Sequence, residues 1–191
     1  MTGNILYFDR REATASATSP IKEMVKPEAL IVERICAGER EAFDELYKHF
    51  ASMVHGIVLA RVPRDEAADL VQNVFLIAYK SLHTLRDHNA VGAWLAMIAR
   101  NQANEFYRKS KPTEELSEDL SHSNKAQSDA REILATIQAL PDAYRETLVL
   151  RLVEGMTGPE IAEKTGLTHD SVRVNLHRGM KILRQRLGIK E

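Results

Sequence analysis

Residues 141–187, PDAYRETLVLRLVEGMTGPEIAEKTGLTHDSVRVNLHRGMKILRQRL, decide the fold. Asp142 to Glu154 reads as a helix ended by Gly155. Pro159 to Thr165 reads as a short helix ended by Gly166, and Asp170 to Leu187 as a long one. Two helices joined by a short Gly-containing turn form a helix-turn-helix. Thr157 with Glu160 three residues on has the spacing of a capping box. Gly166 suits a left-handed cap, and Thr168 can cap the long helix. Ile161, Ala162, Leu167, Val172 and Leu176 are the apolar positions that would join the pair, leaving Arg173, Asn175, His177 and Arg178 outside. Between Ser171 and Lys190 stand six basic residues and no acid. That concentration of charge suits DNA phosphates, and the capped helix pair in front of it favours DNA binding over a plain solvated helix.

Outward from this stretch, the 191-residue chain has room for one or two domains. Its net charge of −1 means that nucleic-acid affinity must come from segregated patches. The single cysteine, Cys36, excludes an intrachain disulfide and a cysteine-rich metal site. No apolar run reaches the ~20 residues of a membrane span, and the first residues do not read as a signal peptide. We expect no cofactor: there is no Gly-rich phosphate loop, and His83 and His88 are too few for a metal site. An enzyme is therefore not expected.

Residues 1–26 read as a mobile tail. Helices follow from Pro27 to about Ala37, from Glu41 to Arg61, from Asp65 to Leu82 and from Val91 or Ala93 to Ser110. Phe43, Leu46, Tyr47, Phe50, Val54, Ile57 and Val58 have the spacing of one buried stripe. Asp69, Gln72, Asn73, Leu76 and Lys80 share the opposite face of the next helix. By spacing alone that is a solvated face, with a protein-binding face as the alternative. Residues 83–93 read as a loop. In the fourth helix, Trp94 lies on the side of Leu95, Ile98 and Phe106, whereas Arg100, Asn101, Asn104 and Arg108 lie on another. Amides, cations and rings together suit unstacked nucleic acid, and Trp94 is equally a core anchor. Residues 112–128 read as a flexible acidic linker, and helix restarts at Asp129. The expected fold is all-α, with two helical domains, 27–111 and 129–191.

Four stretches in order, AFDELYKHF, DLVQNVFLIAYKSL, AWLAMIARNQANEFYRK and the opening stretch, resemble the extracytoplasmic-function (ECF) sigma factors of bacterial RNA polymerase. The resemblance implies regions 2 and 4 of that family and transcription initiation in the cytoplasm, commonly in a stress response. Asp69, Gln72, Asn73 and Leu76 would then meet the polymerase β′ clamp, with the β subunit as a further partner. The loop 83–93 would capture a flipped base. Trp94, Arg100, Asn101, Asn104 and Arg108 would hold the minus-10 strand, and Arg173, Val174, His177 and Arg178 the minus-35 duplex. An anti-sigma factor is the implied regulator, holding a state in which the two units close and hide both DNA faces. The competing reading is a dimeric duplex-DNA regulator. It needs only the helix-turn-helix and leaves the Asp69–Gln72 stripe and the Arg100–Asn101 face without a role.

Overall fold

The structure, a computed structural model, describes residues 25–110 and 125–189. Eight α-helices make up its regular structure, with no strand among the described residues. They are α1 (Pro27–Cys36), α2 (Glu41–Leu59), α3 (Arg64–Ser81), α4 (Val91–Ser110), α5 (Lys125–Gln138), α6 (Asp142–Leu152), α7 (Gly158–Thr165) and α8 (His169–Arg186). The all-α expectation holds. Two short 3-10 turns, Leu82–Thr84 and His88–Ala90, join α3 to α4. Thus the stretch read as a loop to residue 93 already turns into helix at Val91. Helix α5 begins at Lys125, four residues before the expected restart, and α6 stops at Leu152 rather than Glu154. The expected tail over 1–24 and most of the expected linker lie outside the described residues. Among the described residues, no helix is long and apolar enough to cross a membrane.

Helix α2 is the centre of the packing. It touches α1, α3 and α4 on one side and α6 and α7 on the other. Leu46, Phe50, Val54, Ile57 and Val58 are buried as their spacing predicts, Phe43 is partly buried against them, and Met53 joins the core beside them. Tyr47 is the exception in that stripe, 42% exposed. Its ring lies 4.6 Å from Phe75, so it covers the α2–α3 seam from outside. The core continues without a break into Ile137, Leu140, Leu148, Val149, Leu150 and Ile161.

The helix-turn-helix caps form as expected. The Thr157 hydroxyl accepts the Glu160 N–H at 3.4 Å, and Glu160 Oε2 accepts the Thr157 N–H at 2.7 Å. The same hydroxyl donates to Glu160 Oε2 at 2.7 Å. Together they give a reciprocal cap on α7. This holds the Glu160 carboxyl below the ordinary carboxylate range, through the Thr157 backbone and hydroxyl. Gly166 ends α7 at φ +75°, where a side chain is strained. Thr168 caps α8 by accepting the Ser171 N–H at 3.1 Å. We expect Thr157→Ala to destabilise the fold by about 1 kcal/mol. Urea unfolding checks this; an unchanged midpoint would mean that packing alone holds α7.

Candidate nucleic-acid interface

Helix α8 is seated by its one interior glycine. A Cβ at Gly179 would stand 3.0 Å from Leu148 Cδ1 and 3.2 Å from Tyr144 Cβ, so α8 lies directly on α6. Val172 and Leu183 bury the same face. The opposite face is thereby fixed outward. Arg173, Val174, His177 and Arg178 line one open hollow of about 400 Å³. Arg173 pairs loosely with Asp170 at 3.1 Å, and both side chains are solvent-exposed, so a phosphate can displace the carboxylate at little cost. The structure therefore brings all four residues expected at duplex DNA together on one cationic surface.

The five residues expected on α4 divide. Asn101, Asn104 and Arg108 are exposed along one stripe. Arg108 and Lys109 flank it and share Glu105, at 3.6 and 2.9 Å. Trp94 is half-buried and packs against the core, which makes it an anchor first. Arg100 is turned aside: its guanidinium forks onto Glu146 of α6, with Nε and Nη2 at 3.0 and 2.6 Å. Sequence reasoning missed Met97. It is 50% exposed and stands four residues before Asn101, at the start of the stripe. Its spacing to Asn101, Asn104 and Arg108 (i, i+4, i+7, i+11) was the available signal.

On α3, Asp69, Gln72, Asn73, Leu76 and Lys80 are all exposed. The stripe runs on into Tyr79 and Tyr47, which are also exposed. In the connection before α4, Asp87 accepts the Asn89 N–H at 3.0 Å, and Asn89 Oδ1 accepts the Lys26 N–H at 2.9 Å. Thus Asn89 ties that connection to the start of α1.

The two sets of helices meet in a polar, close-packed seam. Glu146 receives Arg61 at 2.7 Å as well as Arg100, and the Arg61 and Glu146 side chains are each 6% exposed. Burial pushes the Glu146 carboxyl up, but the hydrogen bond and charge of Arg100, helped by Arg61, outweigh it and leave the carboxyl below its ordinary range. Gln138 Nε2 donates to the Leu59 and Val62 carbonyls at 2.7 and 3.0 Å, satisfying the C-terminal end of α2 from across the seam. Lys164 Nζ donates to the His49 carbonyl at 2.6 Å. Gly92 has no room for a Cβ against the Lys164 carbonyl, and a Cβ at Gly166 would lie 2.7 Å from Ala93 Cβ. The turn of the helix-turn-helix therefore rests on the start of α4. Of the two DNA faces expected to be hidden on closure, the structure removes only Arg100; the α8 face stays open, because α8 turns its other side to α6.

Comparison with known proteins finds two family matches along the chain. The sigma-70 region 2 family matches residues 46–113, and the sigma-70 region 4 family matches residues 130–183. The RNA polymerase sigma factor CarQ of Myxococcus xanthus is 32% identical over 167 residues, covering 82% of this chain and 95% of that protein. The ECF RNA polymerase sigma factor SigM of Bacillus subtilis is 31% identical over 155 residues, covering 75% and 91%. Among solved structures, CnrH in complex with the cytosolic domain of CnrY aligns with a TM-score of 0.61 at 22% identity, covering 86% of this chain and 99% of that one. The sigma factor RpoE bound to the anti-sigma factor NepR from Bartonella quintana aligns at 0.55 and 19%, covering 78% and 97%.

Proposed function

This chain belongs to the ECF group of RNA polymerase sigma factors, and from that premise we propose how its surfaces divide the work. It is an initiation factor that works with RNA polymerase and promoter DNA and has no catalysis of its own. The reading is carried by one observation: two separate outward faces on one chain, one cationic on a capped helix-turn-helix and one amide-rich on α4. The α8 residues Arg173, Val174, His177 and Arg178 hold the minus-35 duplex by phosphate and major-groove contacts. Asn101, Asn104 and Arg108, with Met97 among them, take unstacked minus-10 bases, and Arg100 joins them once free of Glu146. Trp94 positions this helix. Asp69, Gln72, Asn73 and Leu76 dock on the β′ clamp. The groove between α6 and α8, lined by Leu152, Leu176, Met180 and Lys181, receives the β subunit. Control is by an anti-sigma factor, by analogy with the RpoE–NepR complex, and the protein acts in the cytoplasm, in a stress response.

The closed seam is then a resting state. Elements near positions −10 and −35 lie about 25 base pairs apart, roughly 85 Å at 3.4 Å per step. A 20-residue helix such as α4 spans only about 30 Å. With α7 resting on the start of α4, one molecule cannot reach both elements, so the units must part on polymerase.

Run-off transcription with core polymerase on promoter fragments tests the reading. Asn101→Ala and Arg178→Ala should each reduce specific transcripts by about tenfold or more, the scale of one lost base-reading contact. No new transcripts from the unaltered chain, together with no binding to core polymerase, would overturn it.

A further inference from the structure

We propose that His55 and Glu154 form a proton-sensitive latch that holds the two helical units of the free protein together and loosens as pH rises. The proposal rests on the closed resting state inferred above. His55 lies on α2, and Glu154 in the turn after α6. His55 Nδ1 and Glu154 Oε1 are 2.6 Å apart, one on each side of the seam. The pair sits at one of the close approaches of the two sides. At the adjacent Gly56 a Cβ would stand 2.7 Å from Leu150 Cδ2 and 2.9 Å from Glu154 Cγ. The Glu154 side chain is nearly buried, while His55 keeps a face to water and so exchanges its proton freely.

The charged surroundings set the direction of the switch. The packed elements bring Glu28 of α1, Arg64 of α3, Arg100 of α4, Glu146 of α6 and Lys164 of α7 towards α2. Of the charged groups near it, Glu154 and Arg64 are the two that act on His55. The hydrogen bond to Glu154 raises the His55 pKa, while burial and Arg64 oppose it without cancelling it. A pKa raised by the closed state means that the charged contact is fully present below the ordinary histidine value. It is lost as pH climbs through the raised value. The hydrogen bond between Glu146 and Arg100 raises the Arg100 guanidinium and lowers the Glu146 carboxyl, so this pair supplies the part of the clasp that pH leaves alone. His49 pairs with Glu28 at 2.9 Å, but both belong to the α1–α2 side, so its proton does not bridge the units.

The test uses the full-length protein labelled at Cys36 and at a Gln185→Cys replacement, both exposed and on opposite sides of the seam. Energy transfer between the dyes reports closure from pH 6 to 8.5. The closed-to-open ratio should fall roughly two- to fivefold across this range, the scale of one partly exposed ion pair. His55→Gln and Glu154→Gln should flatten the dependence, and His49→Gln should retain it. A slope that survives His55→Gln, or no slope in the parent protein, overturns the latch and leaves the initiation reading intact. Low transfer at every pH instead overturns the closed resting state, and with it the latch. Run-off transcription tests the sigma assignment independently of both.

Discussion

Glu146→Ala is expected to lower the stability of the protein by about 3 kcal/mol, the largest loss among the substitutions considered, because it strands charge in the seam. Arg61 is almost fully buried and would keep only its bond to the Ile57 carbonyl, at 3.1 Å. Arg100 is less buried and can turn to water, which keeps the cost near the lower end for a broken buried pair. The effect should depend on pH. The Glu146 carboxyl is held below its ordinary range in the folded protein, so its contribution is present above the ordinary carboxylate pKa. That contribution is lost as pH falls through the lowered value. Urea unfolding at neutral pH and at about pH 3 should therefore show a large gap between variant and parent that narrows in acid. An equal gap at both values would mean that the loss is one of packing and not of charge. Because the same carboxylate holds Arg100, the variant should also free that side chain for single-stranded DNA.

Gly92→Ala is expected to open the protein while leaving each set of helices folded. Alanine favours helix over glycine by about 1 kcal/mol, so α4 itself should gain. The added methyl, however, meets the backbone carbonyl of Lys164, which cannot rotate away as a side chain would. It also stands 3.1 Å from the Phe50 ring. Helix α7 has to withdraw, taking with it the Lys164 bond to the His49 carbonyl and the contact of Gly166 with Ala93. Small-angle scattering should show a larger radius of gyration, and the Cys36–Gln185→Cys dye pair should lose energy transfer. Binding to core polymerase should be unchanged, since Gly92 lies off the α3 stripe assigned to the β′ clamp. Unaltered dimensions would mean that the seam yields locally and that closure does not depend on this contact.

Helices α2, α3 and α8 were legible because a 3.6-residue period and end signals act within one element. The capping box at Thr157 and the left-handed Gly166 are local chemistry in the same sense. Tyr47 fits the buried spacing of α2 and is nevertheless half outside, because the breadth of the buried stripe depends on how closely α3 approaches. Helix α5 starts before Asp129 because the polar Lys125–Ser128 stretch gives no apolar period to read.

What the sequence determined by itself is the list of helices, their caps, the exposed stripe of α3 and the outward cationic face of α8, since each follows from spacing along one helix. The tertiary structure alone decided which of the α4 residues are free. Arg100 and Asn101 are neighbours in the chain, but about 100° of helical rotation turns one towards Glu146 and the other to solvent. It alone also showed why Gly56 and Gly92 are glycines, because the atoms that forbid a side chain there belong to Leu150, Glu154 and Lys164, far along the chain. Contacts between distant segments are set by the packing of whole surfaces, and no periodicity within a single helix encodes them.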